Sequence, residues 1–244
     1  MCRIRVGIGG WNFEPWRGVF YPQGLRQKDE LAYVGTHLTA TEINATYYRS
    51  QTPRTFAGWA AAVPDGFTFA VKASRFCTNR RVLAEAGESI EKFVNQGLTE
   101  LGDRLGPILW QFMPTKKFDP DDFGAFLQLL PAQVAGEPLR HALEVRHESF
   151  DDPAFVAMAR QAGAAIVFAA HPEYPCIEAD TADFTYARLM LARAAEPAGY
   201  TPTELDDWAA KAKAWSKKGD TFLFFIAGDK VRNPAAATAL ITAL

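Results

Sequence analysis

Phe67-Thr68-Phe69-Ala70-Val71-Lys72-Ala73 alternates bulky apolar side chains with small or polar ones, the pattern of an extended strand whose two faces meet different surroundings. Phe67, Phe69 and Val71 share a face suited to packing under helices, while Thr68, Ala70 and Lys72 share the other. The charged member stands at the carboxyl end. The same design recurs in residues 39–44, where Glu42 and Asn44 oppose Ile43, and in residues 142–146, where Ala142, Glu144 and Arg146 oppose Leu143 and Val145.

Outward from these three, β-rich runs occur at residues 4–9, 39–44, 67–73, 108–113, 142–146, 165–169, 184–189 and 221–226, eight in all. Helical spacing and helix-start residues fill most of the gaps. Pro53 precedes a helix over 55–63, Asp119-Pro120-Asp121-Asp122 opens one over 123–130, Asp152-Pro153 opens 154–162, and Thr201-Pro202-Thr203-Glu204 opens 205–216. Proline in a first turn forfeits no intrahelical hydrogen bond, and carboxylates there favour the positive end of the helix dipole. Ile90, Phe93, Val94, Leu98 and Leu101 predict a further amphipathic helix over 89–101. Residues 171–183 are short and carry Pro172 and Pro175, so the sixth and seventh strands are expected to be joined irregularly. Eight alternating units in 244 residues, with no linker or repeat, predict one α/β domain over residues 1–244, a single (β/α)8 barrel of the TIM type.

Composition narrows the function. A formal net charge of −2 gives no general attraction for nucleic acid or an anionic membrane. Cys2, Cys77 and Cys176 are odd in number and lack C-x-x-C spacing, so neither a disulfide framework nor a zinc site is expected. With no apolar leader before the first strand and no window near the ~20 apolar residues of a membrane span, a cytoplasmic location is expected. Gly7-Ile8-Gly9-Gly10 falls short of the dinucleotide pattern G-x-G-x-x-G. No G-x-S-x-G appears, and His37, His141, His147 and His171 have no metal-ligand spacing.

Barrels of this type carry their reactive groups at the carboxyl ends of the strands. Glu42, Lys72 and Glu144 are therefore the expected catalytic residues, and Trp11, Trp16, Tyr21, Asn44, Tyr48, Gln111, Arg146, His147 and Arg188 the expected substrate-binding ones. Glu144 and Arg146 could equally form a structural ion pair, and His147 could simply hydrogen-bond its own loop. Trp11, Trp16, Phe20 and Tyr21 crowd the first loop, where rings either stack on a ligand or plug the barrel mouth. Cys77 follows Lys72 and Arg75, though a buried inert thiol is the ordinary reading.

These segments also resemble a known family. Gly9-Gly10-Trp11-Asn12-Phe13, Trp16, Gly18 and Phe20-Tyr21-Pro22 are similar to the opening signature of the YecE-like family, domain of unknown function 72. Glu42-Ile43-Asn44-Ala45-Thr46-Tyr47-Tyr48-Arg49, then Trp59, Pro64 and Val71-Lys72-Ala73 with Arg75, resemble its next blocks. Gly106-Pro107 with Gln111 and Pro114, Glu144-Val145-Arg146-His147 with Ser149, and Asp183-Phe184 with Tyr186 and Arg188-Leu189 continue the series. The resemblance is strong over residues 6–190 and weaker beyond; it implies a TIM-type barrel and carries no established reaction. Asn79 and Met190 stand where the family pattern has histidine, so a mechanism needing those imidazoles would be impaired here.

Two functions are expected to compete. One is an enzyme acting on a small polar or anionic substrate, with Lys72, Arg146 and Arg188 holding negative charge while Glu42 or Glu144 moves protons. The other is a binding protein that holds a nucleotide or a nucleic-acid end without turnover; extended nucleic acid is disfavoured by the charge. The sequence names no cofactor, no metal and no oligomeric state.

Overall fold

Every strand of the main sheet runs parallel to its neighbours, which requires a crossover after each one and places all the carboxyl ends on one face. The computed structural model describes residues 3–244; the expectation for Cys2 lies outside the described residues. In chain order the strands are Ile4–Gly9, Ala40–Ile43, Thr68–Lys72, Leu105–Gln111, His141–Glu144, a sixth in two pieces, Ala165–Ile166 and Phe168–Ala170, then Phe184–Leu189 and Asp220–Phe225. The first pairs with both the second and the eighth. The first piece of the sixth strand pairs with the fifth, and the second piece with the seventh. Between them the Val167 amide donates to the Leu143 carbonyl at 3.0 Å, so the ladder runs round the ring and the sheet is a TIM-type barrel.

The helix starts follow the sequence chemistry. Thr52, Asp119 and Asp152 each accept amide protons from the turn that they cap, with proline next in line. Thr201 and Glu204 form a reciprocal capping box at the head of Pro202–Trp215. One expectation is corrected: the helix predicted over 89–101 runs only Gly87–Val94. Gly97, at φ 111°, turns the chain into a separate 3-10 stretch, Leu98–Arg104, so the apolar spacing spans two elements that pack on the same core. Residues 171–183 contain no helix, as their prolines predict.

Two cores result. Phe67, Phe69, Val71, Leu143 and Val145 belong to the layer between strands and helices. Ala40, Ala70, Leu109, Ala142, Tyr186 and Phe224 fill the barrel bore. Polar side chains lie above that bore. No helix among the described residues is long and apolar enough to cross a membrane.

Candidate functional site

Glu42, Lys72, Gln111, Glu144 and Arg188 each stand at or near the carboxyl end of a strand, in phase with the bore-facing residues below them. Arg188 reaches across the mouth from the seventh strand. Its Nε donates to Glu42 Oε2 at 3.2 Å and its Nη2 to Glu42 Oε1 at 3.0 Å, while Nη1 donates to Glu144 Oε2. The guanidinium is 2% exposed and both glutamates are fully buried, so three charges leave water together and must satisfy one another.

Each carboxylate has further partners. Tyr186 gives its hydroxyl proton to Glu42 Oε2 at 2.9 Å. The Gln111 amide donates to both oxygens of Glu144, at 3.1 and 3.0 Å, and Arg146 Nε donates to Glu144 Oε1 at 2.7 Å. Burial works against ionisation of Glu144, but Arg188, Arg146 and the Gln111 amide outweigh it and hold the carboxyl at about 2. Burial and the adjoining Glu42 carboxylate push Tyr186 well above the usual phenol range. Arg188 is raised, because the two carboxylates overcome the cost of its burial.

Lys72 is the exception. It makes no ion pair and no side-chain hydrogen bond among the described residues; its Nζ lies 4.2 Å from the centre of the Tyr47 ring. Burial and the Arg188 charge lower it to about 8, with Arg146 adding to the effect and Glu42 and Glu144 partly opposing it. Arg146 is partly exposed, and its guanidinium stacks 4.6 Å from the Tyr174 ring, which itself stacks on His171.

The other expected residues sort clearly. Asn44 is half-buried beside Glu42, its amide 3.4 Å from the Glu42 carbonyl. His147 turns back on its own loop, where Nδ1 accepts the Ser149 amide at 3.1 Å, so the local role holds it. Tyr48 is 65% exposed; the short helix Ala45–Tyr48 points Tyr47 at Lys72 instead, since neighbouring residues on a helix face different ways. Trp16 and Tyr21 lie in the outer core, away from the charged mouth. Trp16 Nε1 donates to the Lys230 carbonyl at 2.8 Å, and the Tyr21 hydroxyl donates to the Trp11 carbonyl. Trp11 packs edge-on against Trp59 and Phe69, the helix-facing side of the third strand. A long loop with no sheet of its own buries its rings against helices, and each polar ring atom then needs a backbone acceptor. Trp11, Trp16 and Tyr21, expected to bind substrate, instead pack into the layer between strands and helices.

Tyr47, Tyr174 and Tyr186 join the site without having been singled out. Asn79, at one of the positions where the family pattern has histidine, donates its amide to the Tyr47 hydroxyl at 3.0 Å, behind the ring that Lys72 faces. Met190 is buried just past Arg188. Burial pushes the Cys77 thiol up to about 12, so it is inert. Among the described residues no three His, Cys, Asp or Glu side chains come together as metal ligands. A groove of ≈ 480 Å³ lined by Asn79, Arg80, Arg81, Met113, Lys116 and Lys117 opens on the same rim.

Known proteins share this architecture. A Thermotoga maritima DUF72 family protein of known structure superposes with a TM-score of 0.78 at 26% identity, over 98% of this chain and 97% of that one. An Enterococcus faecalis V583 member gives a TM-score of 0.78 at 18% identity, over 99% and 95%. The UPF0759 protein YunF of Bacillus subtilis is 27% identical over 157 residues, 62% of this chain and 54% of YunF, so the match spans about half the length of that relative. The model of the family described as protein of unknown function DUF72 matches residues 5–244, and the chain belongs to that family.

Proposed function

We propose that this protein is a cytoplasmic enzyme acting on a small polar or anionic substrate at the barrel mouth, with the Lys72 amine as its reacting group. The observation that carries this reading is the solitary state of Lys72 beside a cluster in which every other charge is paired. A proton-transfer group works best with a pKa near the operating pH. Lys72, at about 8, meets that condition, whereas Glu144, at about 2, stays an anion and is a weak base. The acid/base role expected of Glu42 and Glu144 therefore passes to Lys72, and the two buried carboxylates with Arg188 become the floor that sets its field. Arg146, with an exposed edge, remains the natural anchor for a negative substrate group, and Arg188 does not, because its own glutamates engage it.

The rim supports a ligand at this face. Tyr48, Phe76, Met113 and Leu191 follow the second, third, fourth and seventh strands and are all large, apolar and exposed. With the basic groove they also favour a second reading, binding of a nucleotide or nucleic-acid end by stacking without turnover. The test is capture of metabolites by the purified protein, with mass-spectrometric identification, comparing wild type with Lys72→Met. The expected result is a small polar compound retained and converted only when Lys72 is present. Equal retention by both proteins, or retention of nucleotides alone without conversion, would overturn the enzyme reading.

A further inference from the structure

We propose that Lys72 is a covalent nucleophile that forms an imine with a small aldehyde or ketone, one that also carries a carboxylate seated on Arg146. This deepens the enzyme reading above and rests on it. The geometry supplies three reasons. The amine stands at the carboxyl end of a barrel strand, half-buried, with one side covered by the Tyr47 ring and no carboxylate within ion-pair distance among the described residues. An ammonium so placed has the face of a ring but no side-chain hydrogen-bond acceptor among the described residues to hold its proton, and an amine without its proton has a free lone pair.

The second reason is charge. Glu42, Glu144, Arg146 and Arg188 sum to zero, so a protonated Lys72 leaves the mouth with one surplus positive charge. A singly anionic carbonyl compound bound as a protonated imine brings that sum back to zero. The third reason is reach. Arg146 offers Nη2, its Nε being engaged by Glu144 and its Nη1 making only a long 3.5 Å contact with the Tyr174 hydroxyl, so one arm is available on a guanidinium near enough for its charge to act on the amine.

The step balances without a cofactor. The Nζ lone pair adds to the carbonyl carbon, and the carbonyl π electrons move to oxygen, which takes a proton from solvent. The resulting carbinolamine expels that oxygen as water, with a second proton transfer from nitrogen to oxygen, and the nitrogen keeps one hydrogen as a protonated imine. Reduced basicity favours the neutral amine at pH 7. An ordinary lysine is then neutral in about one molecule in 2,500, against about one in ten for a group near 8. The weaker intrinsic nucleophilicity of a less basic amine returns part of that advantage, leaving a gain of roughly ten- to a hundredfold.

The experiment incubates wild-type protein at pH 7 with glyoxylate and cyanoborohydride, which reduces an imine to a stable secondary amine, and maps the modified lysines by mass spectrometry. Lys72 should be modified at least about tenfold faster than the exposed Lys28 and Lys217. Arg146→Gln should slow modification by glyoxylate more than modification by uncharged glycolaldehyde, which loses only what the more basic Lys72 costs it; equal slowing of both would remove Arg146 as the seat of the anion. Because the main measurement is made on the wild-type chain, a variant that fails to fold does not blunt it. Modification of Lys72 no faster than of the surface lysines would overturn the imine. If captured metabolites still depended on Lys72, the enzyme reading would stand without it; if neither did, both would fall.

Discussion

Replacing Arg188 with methionine removes the one cation among the described residues that touches both buried glutamates. Three hydrogen bonds are lost, two to Glu42 and one to Glu144, and a side chain of similar length leaves no large cavity. The two carboxylates do not suffer equally. Glu144 keeps Arg146 at 2.7 Å and the Gln111 amide, whereas among the described residues Glu42 keeps only the Tyr186 hydroxyl as a side-chain donor. Breaking a buried pair by removing one partner costs about 3–5 kcal/mol, mostly as the penalty of the stranded charge. For a domain of this size that corresponds to a fall in Tm of about 10 °C. Since Glu42 is the stranded partner, adding Glu42→Gln to Arg188→Met should recover about half the loss, and adding Glu144→Gln should recover little or worsen it by stranding Arg146. Urea unfolding of the four proteins at pH 7 provides the measurement. A single variant within about 1 kcal/mol of wild type, or a better rescue by Glu144→Gln than by Glu42→Gln, would refute the assignment of Glu42 as the carboxylate that depends on Arg188.

Two further outcomes follow from the same geometry. Glu144 has its pKa lowered from 4.5 to about 2 in the folded chain, so its ion pairs contribute stability that is complete above pH 4.5 and lost as the pH falls toward 2; Glu144→Gln should be less stable at pH 7 but flatter across that acid range, and an unchanged acid slope in urea titrations would count against it. Tyr47→Leu removes a cation–π contact of about 0.5–1 kcal/mol that favours the charged form of Lys72, so the pH midpoint for labelling Lys72 should fall by about half a unit, and a midpoint that rises or stays put would show that the ring does not touch the ammonium.

The barrel was legible because strand alternation is a local property: the phase that puts Phe67, Phe69 and Val71 under helices also puts Lys72 over the bore. Helix starts were legible for the same reason, being set by a residue and its next three neighbours. The helix predicted over 89–101 failed where apolar spacing continued through a break, since periodicity registers which residues face the core and not whether one rod carries them. At the site, Glu42, Lys72, Glu144 and Arg188 could be named from their phase, but their pairing could not. Arg188 and Glu42 are 146 positions apart, and nothing local tells an arginine which carboxylate it will meet. Tyr174 lies on an irregular connection with no phase to read, and the choice between Tyr47 and Tyr48 turned on the direction of a single helical turn. Ring density in the first loop signalled apolar burial, and burial went to the helix layer because that is where the free apolar surface lay.

The filling of the bore explains why the charges settle as they do. Below the mouth, the second, third, fifth and sixth strands present Ala40, Ala70, Ala142 and Ala165, while the seventh and eighth present Phe184, Tyr186, Phe222 and Phe224. One wall is thin and the other thick. Gly7 on the first strand completes the fit, for a Cβ there would stand 2.1 Å from the Ala40 carbonyl oxygen and 3.2 Å from the Phe224 ring. Rings projecting from one side close the bore to water, so Arg188, one inward position above Tyr186, rests on an apolar floor. Its long side chain extends across that floor to the glutamates of the second and fifth strands, above the thin wall. A dry floor makes each pairing obligatory, because no solvent can take the place of a missing partner. Two carboxylates meet two guanidinium groups there, and the amine of Lys72 is left as the odd charge. On the proposed reading, a ligand that seats in this mouth brings one negative charge, or meets the amine without its proton.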